Sequence, residues 1–139
     1  MSFVLDNSVA LAWCFQDEQT PAVLALLDRV TETGAAAPAL WPLEATNGLL
    51  VAERRGRLNP NQRERLIGFL HALPIELDGE TAIRAWGATS RLAERFRLSV
   101  YDAAYLELAR RLELPLASLD QNLRTAAVAL DVPVLGTGT

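Results

Sequence analysis

The chain has 139 residues, half of them hydrophobic, a formal net charge of −4 and a single cysteine. That is enough for one domain to bury a core without a disulfide or a structural metal. All 13 basic residues are arginine, which excludes chemistries built on a Walker lysine, a Schiff-base lysine or a phospho-receiver lysine. The acidic balance is unusual for a nucleic-acid binder, although arginine's planar fork of donors suits phosphate. No apolar run approaches the roughly 20 residues needed to cross a bilayer. The start, Met1-Ser2-Phe3-Val4-Leu5-Asp6, has no basic region before its apolar run and does not read as a secretion signal. A cytoplasmic protein is the expectation. Cys14 has only His71 as a possible catalytic partner, and it reads as a small core hydrophobe.

In chain order, Phe3-Val4-Leu5 predicts a strand that ends at Asp6, followed by a short helix from Ser8 to Phe15. Pro21 opens a helix to about Thr33, with Val23, Leu26, Leu27 and Val30 on one stripe, and Gly34 ends it. Ala35-Ala36-Ala37 carries little β propensity and is placed as a strand by the alternation around it. Pro42 suits a first helical position of a helix running to about Arg55. Asn59-Pro60 starts another, to about Ala72. Ile75-Glu76-Leu77 is a third strand. Thr81 to Phe96 reads as one long helix and Tyr101 to Leu112 as the next. Pro115 to Leu119 is a strand ending at Asp120, Asn122 to Leu130 a helix, and Val132 to Leu135 a last strand.

Strands alternating with helices predict an α/β domain, 1–139, with a parallel sheet covered on both faces and a short flexible tail from about Gly136. Ligands of such sheets bind beyond the carboxyl ends of the strands. Asp6 and Asp120 both fall there, on one rim.

Four acids then stand out, each with a bland alternative. Asp6 in Asp6-Asn7-Ser8 and Asp120 in Asp120-Gln121-Asn122 are good helix N-caps. Glu44, in the first turn of its helix, is well placed against the helix dipole, with Asn47 on the same face to support it. Asp102 lies three residues before Tyr105, on the apolar stripe Tyr105, Leu106, Ala109, Leu112, where a carboxylate is costly unless paired, metal-bound or capping. If the four converge, each charged pair at about 4 Å costs about 4 kcal/mol at an effective dielectric near 20. Such a cluster requires protons or a divalent cation. An all-oxygen set without histidine favours Mg²⁺ or Mn²⁺ over Zn²⁺.

Taken in order and spacing, Val4-Leu5-Asp6-Asn7-Ser8, Leu43-Glu44-Ala45-Thr46-Asn47, Tyr101-Asp102-Ala103-Ala104-Tyr105 and Ser118-Leu119-Asp120 resemble the motifs of PIN-domain proteins, most closely the VapC-type toxins. The resemblance covers nearly the whole chain. It implies a parallel five-stranded sheet with helices on both sides and a metal-dependent ribonuclease, the toxin of a bacterial toxin–antitoxin pair. By the same resemblance, Asp6 and Asp102 are the main ligands of Mg²⁺ or Mn²⁺. Glu44 and Asp120 complete the catalytic set partly through waters, and Ser8 supports Asp6. Ser118 stands where the family often has threonine, and it keeps the hydroxyl. A homodimer and a cognate antitoxin are implied as well.

RNA backbone contacts are expected from Arg54, Arg55 and Arg57 or from Arg110 and Arg111, which otherwise read as solvated surface. Trp13, Phe15 and Trp41 are either core or an antitoxin surface. The alternatives are a metal-dependent phosphohydrolase acting on DNA or nucleotides, and a non-enzymatic interaction module whose acids are helix caps.

Overall fold

A computed structural model describes residues 2–137. Five short parallel strands form one sheet: β1 (Val4–Leu5), β2 (Ala35–Pro38), β3 (Ile75–Asp78), β4 (Leu116–Ala117) and β5 (Val134–Leu135), in the order β3-β2-β1-β4-β5. The expected α/β fold with a five-stranded parallel sheet is present. The chain builds outward from β1 through β2 to β3, then returns to the other side of β1 for β4 and β5. The reversal lies between β1 and β4, and a crevice opens at such a switch point beyond the strand ends.

Among the described residues eight α-helices pack around the sheet: α1 (Asn7–Cys14), α2 (Pro21–Thr33), α3 (Trp41–Arg54), α4 (Pro60–Ala72), α5 (Thr81–Arg84), α6 (Ala88–Phe96), α7 (Val100–Leu112) and α8 (Gln121–Ala129). Their starts follow local chemistry. Thr20 caps α2 through the Val23 N–H, and Pro21 supplies its first turn. Asn59 and Gln62 form a capping box on α4, satisfying two otherwise orphaned amides. Ser99 caps α7 through the Asp102 N–H at 3.0 Å.

The helix expected over Thr81 to Phe96 is two helices. The chain breaks at Ala85-Trp86-Gly87, where Gly87 adopts φ −134° and ψ −98°. That ψ lies outside the helical range, and Gly87 is the local signal for the break. A 3₁₀ turn over Gln16–Glu18 follows α1, where no element was expected.

Burial explains the strands better than propensity does. Ala35, Ala36 and Ala37 are fully enclosed, and α7 packs across β1, β2 and β4. Every residue from Ala103 to Ala109 is buried, because α7 also has α6 and α8 against its flanks. Small side chains on β2 allow that close approach. Gly136 is buried, and Thr137 accepts a hydrogen bond from Arg124 at 3.0 Å. The rest of the tail expected to be flexible lies outside the described residues. Among the described residues no helix is long and apolar enough to cross a membrane.

Candidate active site at the sheet switch point

Asp6 leaves β1 at the switch point and occupies the N-cap position of α1, yet its side chain makes no capping bond. Instead its Oδ2 accepts two hydroxyl protons, from Ser8 Oγ at 2.7 Å and from Ser118 Oγ at 2.8 Å. Each hydroxyl is itself oriented by an amide: the Leu119 N–H donates to Ser8 Oγ at 2.9 Å and the Asp120 N–H to Ser118 Oγ at 3.1 Å. With a lone pair of each hydroxyl taken by an amide, both protons turn to the carboxylate. Both converge on Oδ2, which leaves Oδ1 without a hydroxyl donor. The Asp6 side chain is nonetheless buried, at 4% exposure. Burial raises its pKa, the two hydroxyls pull it down, and Asp102 pushes it up again; the net direction is upward.

Glu44 comes from the first turn of α3. The wholly buried Tyr105 donates its phenol to Glu44 Oε1 at 2.6 Å. The pKa of Glu44 is raised by burial; the tyrosine opposes this, and Asp6 and Asp102 add to it. The tyrosine itself is pushed well above the ordinary phenol range by burial and by Glu44.

Asp102 sits in the first turn of α7, but the cap there is Ser99, so the capping alternative does not account for its carboxylate. Its pKa is raised by burial and then by Asp120. Asp120 caps α8: its Oδ1 accepts from the Leu123 N–H at 2.9 Å. Here the bland reading and proximity to the acid cluster hold together, because Oδ1 is used by the helix while the charge still reaches Asp102.

Four acids from four separate elements are thus electrostatically coupled at one end of the sheet. Among the described residues, no group of three or more histidine, cysteine or acidic side chains is arranged to cage a metal ion. The donor set fits a different binding mode. Hard carboxylate oxygens, among them the Asp6 Oδ1 that takes no hydroxyl, suit a hydrated Mg²⁺-like cation held directly by one or two carboxylates and by waters.

A family model described as "PIN domain" matches residues 3–129. The chain belongs to the PIN-domain family. PIN domains are typically nucleases and generally depend on a divalent metal. Two solved structures share this PIN fold. PAE2754 from Pyrobaculum aerophilum has 22% identity and a TM-score of 0.67, covering 91% of this chain and 84% of its own. FitAcB from Neisseria gonorrhoeae has 21% identity and a TM-score of 0.64, covering 95% of both chains. No curated protein matches by sequence.

The structure decides several expectations about this PIN domain. Asn47 is exposed, and the partner of Glu44 is Tyr105 rather than Asn47. The sequence holds a signal for this, since Tyr105 follows Asp102 by one helical turn. Trp13, Phe15 and Trp41 are only 5%, 8% and 5% exposed; they belong to the core, and of the three only Trp41 also lines the apolar concavity beside α3. Arg57 is taken by ion pairs to Asp17 and Glu18 and lies over the Phe15 ring. Arg111 is clamped by Asp78 and Glu107. Cys14 has its thiol pKa pushed up to about 12 by burial and by Glu18, which makes it a poor nucleophile.

Proposed function

We propose that this PIN domain is a divalent-metal-dependent endoribonuclease, the toxin of a toxin–antitoxin pair. The observation that carries the nuclease reading is Asp6. It is a buried carboxylate at a helix start that leaves the cap unused and is held by two amide-oriented hydroxyls at the switch point. A fold has no structural need for such a group, and its desolvation is costly. The raised pKa values of Asp6, Glu44 and Asp102 are the signature of carboxylates gathered for a cation.

Asp6 and Asp102 are the proposed direct ligands of Mg²⁺ or Mn²⁺, with Glu44 and Asp120 acting through waters. A bound divalent cation supplies charge neutralisation and Lewis-acid polarisation of the phosphodiester. The chain's own residues do the rest. Ser8 and Ser118 hold Asp6 in one rotamer. Tyr105 fixes Glu44, which accepts the proton of the attacking water as its oxygen bonds to phosphorus and the ribose oxygen leaves. Asp120 stays in place because α8 depends on it.

The toxin assignment rests on the resemblance to VapC-type proteins, and the proposed homodimer shares that basis. An apolar concavity of about 270 Å³ between α3, α4 and β3, lined by Trp41, Leu49, Ile67, Leu70 and Ile75, suits the apolar face of an antitoxin helix.

The test is cleavage of labelled RNAs by the purified protein with Mg²⁺ or Mn²⁺ and with EDTA, beside Asp102→Asn. Metal-dependent cutting lost in the variant supports the proposal. Cutting that survives Asp102→Asn sinks the site assignment, and cutting of DNA in preference to RNA sinks the substrate.

A further inference from the structure

Away from the acids, five of the thirteen arginines line one concavity of about 540 Å³ along α6 and α7: Arg84, Arg91, Arg95, Arg110 and Arg111. Two of them are spoken for. Arg84 pairs with Glu80 at 2.8 Å, and Arg111 is held by Asp78 at 2.6 Å and Glu107 at 2.9 Å. Arg91, Arg95 and Arg110 have no carboxylate partner among the described residues, and all three are exposed. On a protein of net charge −4, three uncompensated guanidiniums around one hollow are a local reversal of sign.

The break between α5 and α6 adds an aromatic group. Trp86 is 87% exposed, whereas Trp13 and Trp41 are each 5% exposed. It lies in sequence between Arg84 and Ala88, both of which line the concavity. The Arg91 guanidinium reaches back to the same turn: its Nη1 lies 3.7 Å from where a Cβ on Gly87 would stand. Exposed tryptophan beside unpaired arginine is the element by which proteins hold single strands, the ring stacking a base and the cations following the phosphates. An acidic peptide would satisfy the arginines but gives no role to the ring.

We infer that this concavity docks single-stranded RNA, with Arg91, Arg95 and Arg110 on the phosphates and Trp86 under a base. The inference rests on the nuclease reading and extends it by locating a flank of the substrate. Helix α7 links the two sites, carrying Asp102 in its first turn and Arg110 in its last. They are separated by about 12 Å along the axis at a rise near 1.5 Å per residue.

The test uses the full chain carrying Asp102→Asn, in EDTA, titrated with a single-stranded RNA oligonucleotide. Because Trp13 and Trp41 are buried, saturable quenching by a stacked base is expected at Trp86, and the affinity of every variant, Trp86→Ala included, is read from the anisotropy of end-labelled RNA. Arg91→Glu, Arg95→Glu and Arg110→Glu should each weaken binding about tenfold and flatten the dependence of log K on log salt by about one. Trp86→Ala should weaken binding about tenfold, while Arg65→Glu should leave it unchanged. Glutamine at the three arginine positions repeats the test without introducing a charge. Unaltered affinity in these variants overturns the inference, as does equal competition by polyglutamate. Self-association that buries Trp86 and is abolished by Trp86→Ala overturns it too. Metal-dependent RNA cleavage by the parent chain, with unaltered binding in the arginine variants, removes the docking surface and leaves the nuclease. Quenching by RNA without any cleavage does the reverse.

Discussion

At the scale of single residues, the acids separate into those the fold uses and those it tolerates. Asp120 is used, since its Oδ1 caps α8. Asparagine caps a helix as well as aspartate does, so Asp120→Asn should keep the stability and lose activity. Asp120→Ala should lose about 1 kcal/mol as well; urea melts beside cleavage rates separate the two effects. Asp102 is tolerated. Burial and then Asp120 raise its pKa, so the folded chain holds a proton that the unfolded chain has released. Stability therefore falls as pH rises through the window above the ordinary value of 3.8. Asp102→Asn removes that penalty and should raise the metal-free melting temperature at pH 7 while abolishing cleavage. A lower melting temperature would mean that the carboxylate stabilises the fold. Tyr105→Phe strips Glu44 of its only phenolic donor and should reduce activity about 10- to 100-fold, with activity measured at saturating metal. Asp6 and Asp120 were legible from predicted strand ends, which confine a side chain to one rim, and Glu44 and Asp102 joined them through the order and spacing of the motifs. Of their supports, Ser8 and Ser118 were legible as hydroxyls of the motifs, but the partner of Glu44 was not, since Tyr105 meets it across 61 positions where Asn47 was expected. Only packing brings such pairs together.

At the scale of elements, the strands and most helices followed from punctuation by proline, glycine and capping residues. The failure over Thr81 to Phe96 has a physical cause. Helical periodicity continues through Ala85 and Ala88, and one glycine with a non-helical ψ outweighs it. Gly34 shows the opposite situation, a glycine expected to end its helix and found to do so, with a second reason that only the fold supplies. It ends α2 at φ +72° and ψ 177°, a region nearly closed to other residues. A Cβ there would also meet the Pro74 carbonyl oxygen at 2.9 Å, in the backbone that leads into β3. Gly34→Ala should therefore destabilise by about 3 kcal/mol, read by urea denaturation; a loss under 0.5 kcal/mol would show that the turn rearranges freely. The clamp on Arg111 ties α7 to the end of β3. Burial alone would raise the pKa of Asp78, but the Arg111 guanidinium and the Glu80 N–H outweigh it and hold the carboxyl below its ordinary value of 3.8. This contribution is fully present above that value and is lost as pH falls through the lower folded one. Arg111→Met should cost about 3 kcal/mol at pH 7 and flatten the acid limb of the stability profile. An unchanged acid limb would assign acid unfolding to other carboxylates.

For the whole molecule, fold and site are coupled by the order of the strands. The reversal between β1 and β4 opens the crevice, and the same strands deliver Asp6, Ser118 and Asp120 to it. The chain thus gathers repelling carboxylates at that switch point, with Asp6 itself buried. Any ligand that neutralises them binds the folded state and not the unfolded one, so it should stabilise the whole domain by mass action. At a free concentration 100 times the dissociation constant the gain is about 2.7 kcal/mol. For a chain of this size that is a rise in melting temperature of about 10 °C. Mg²⁺ or Mn²⁺ should produce such a rise in the parent protein at neutral pH, and EDTA should reverse it. Asp6→Asn should give no comparable response, because the cation loses a proposed direct ligand. High NaCl serves as the control for general screening of negative charge, which acts on every carboxylate and would raise parent and variant alike. A rise of equal size in parent and Asp6→Asn would make the effect one of screening, and the acids would then need another partner to justify their burial.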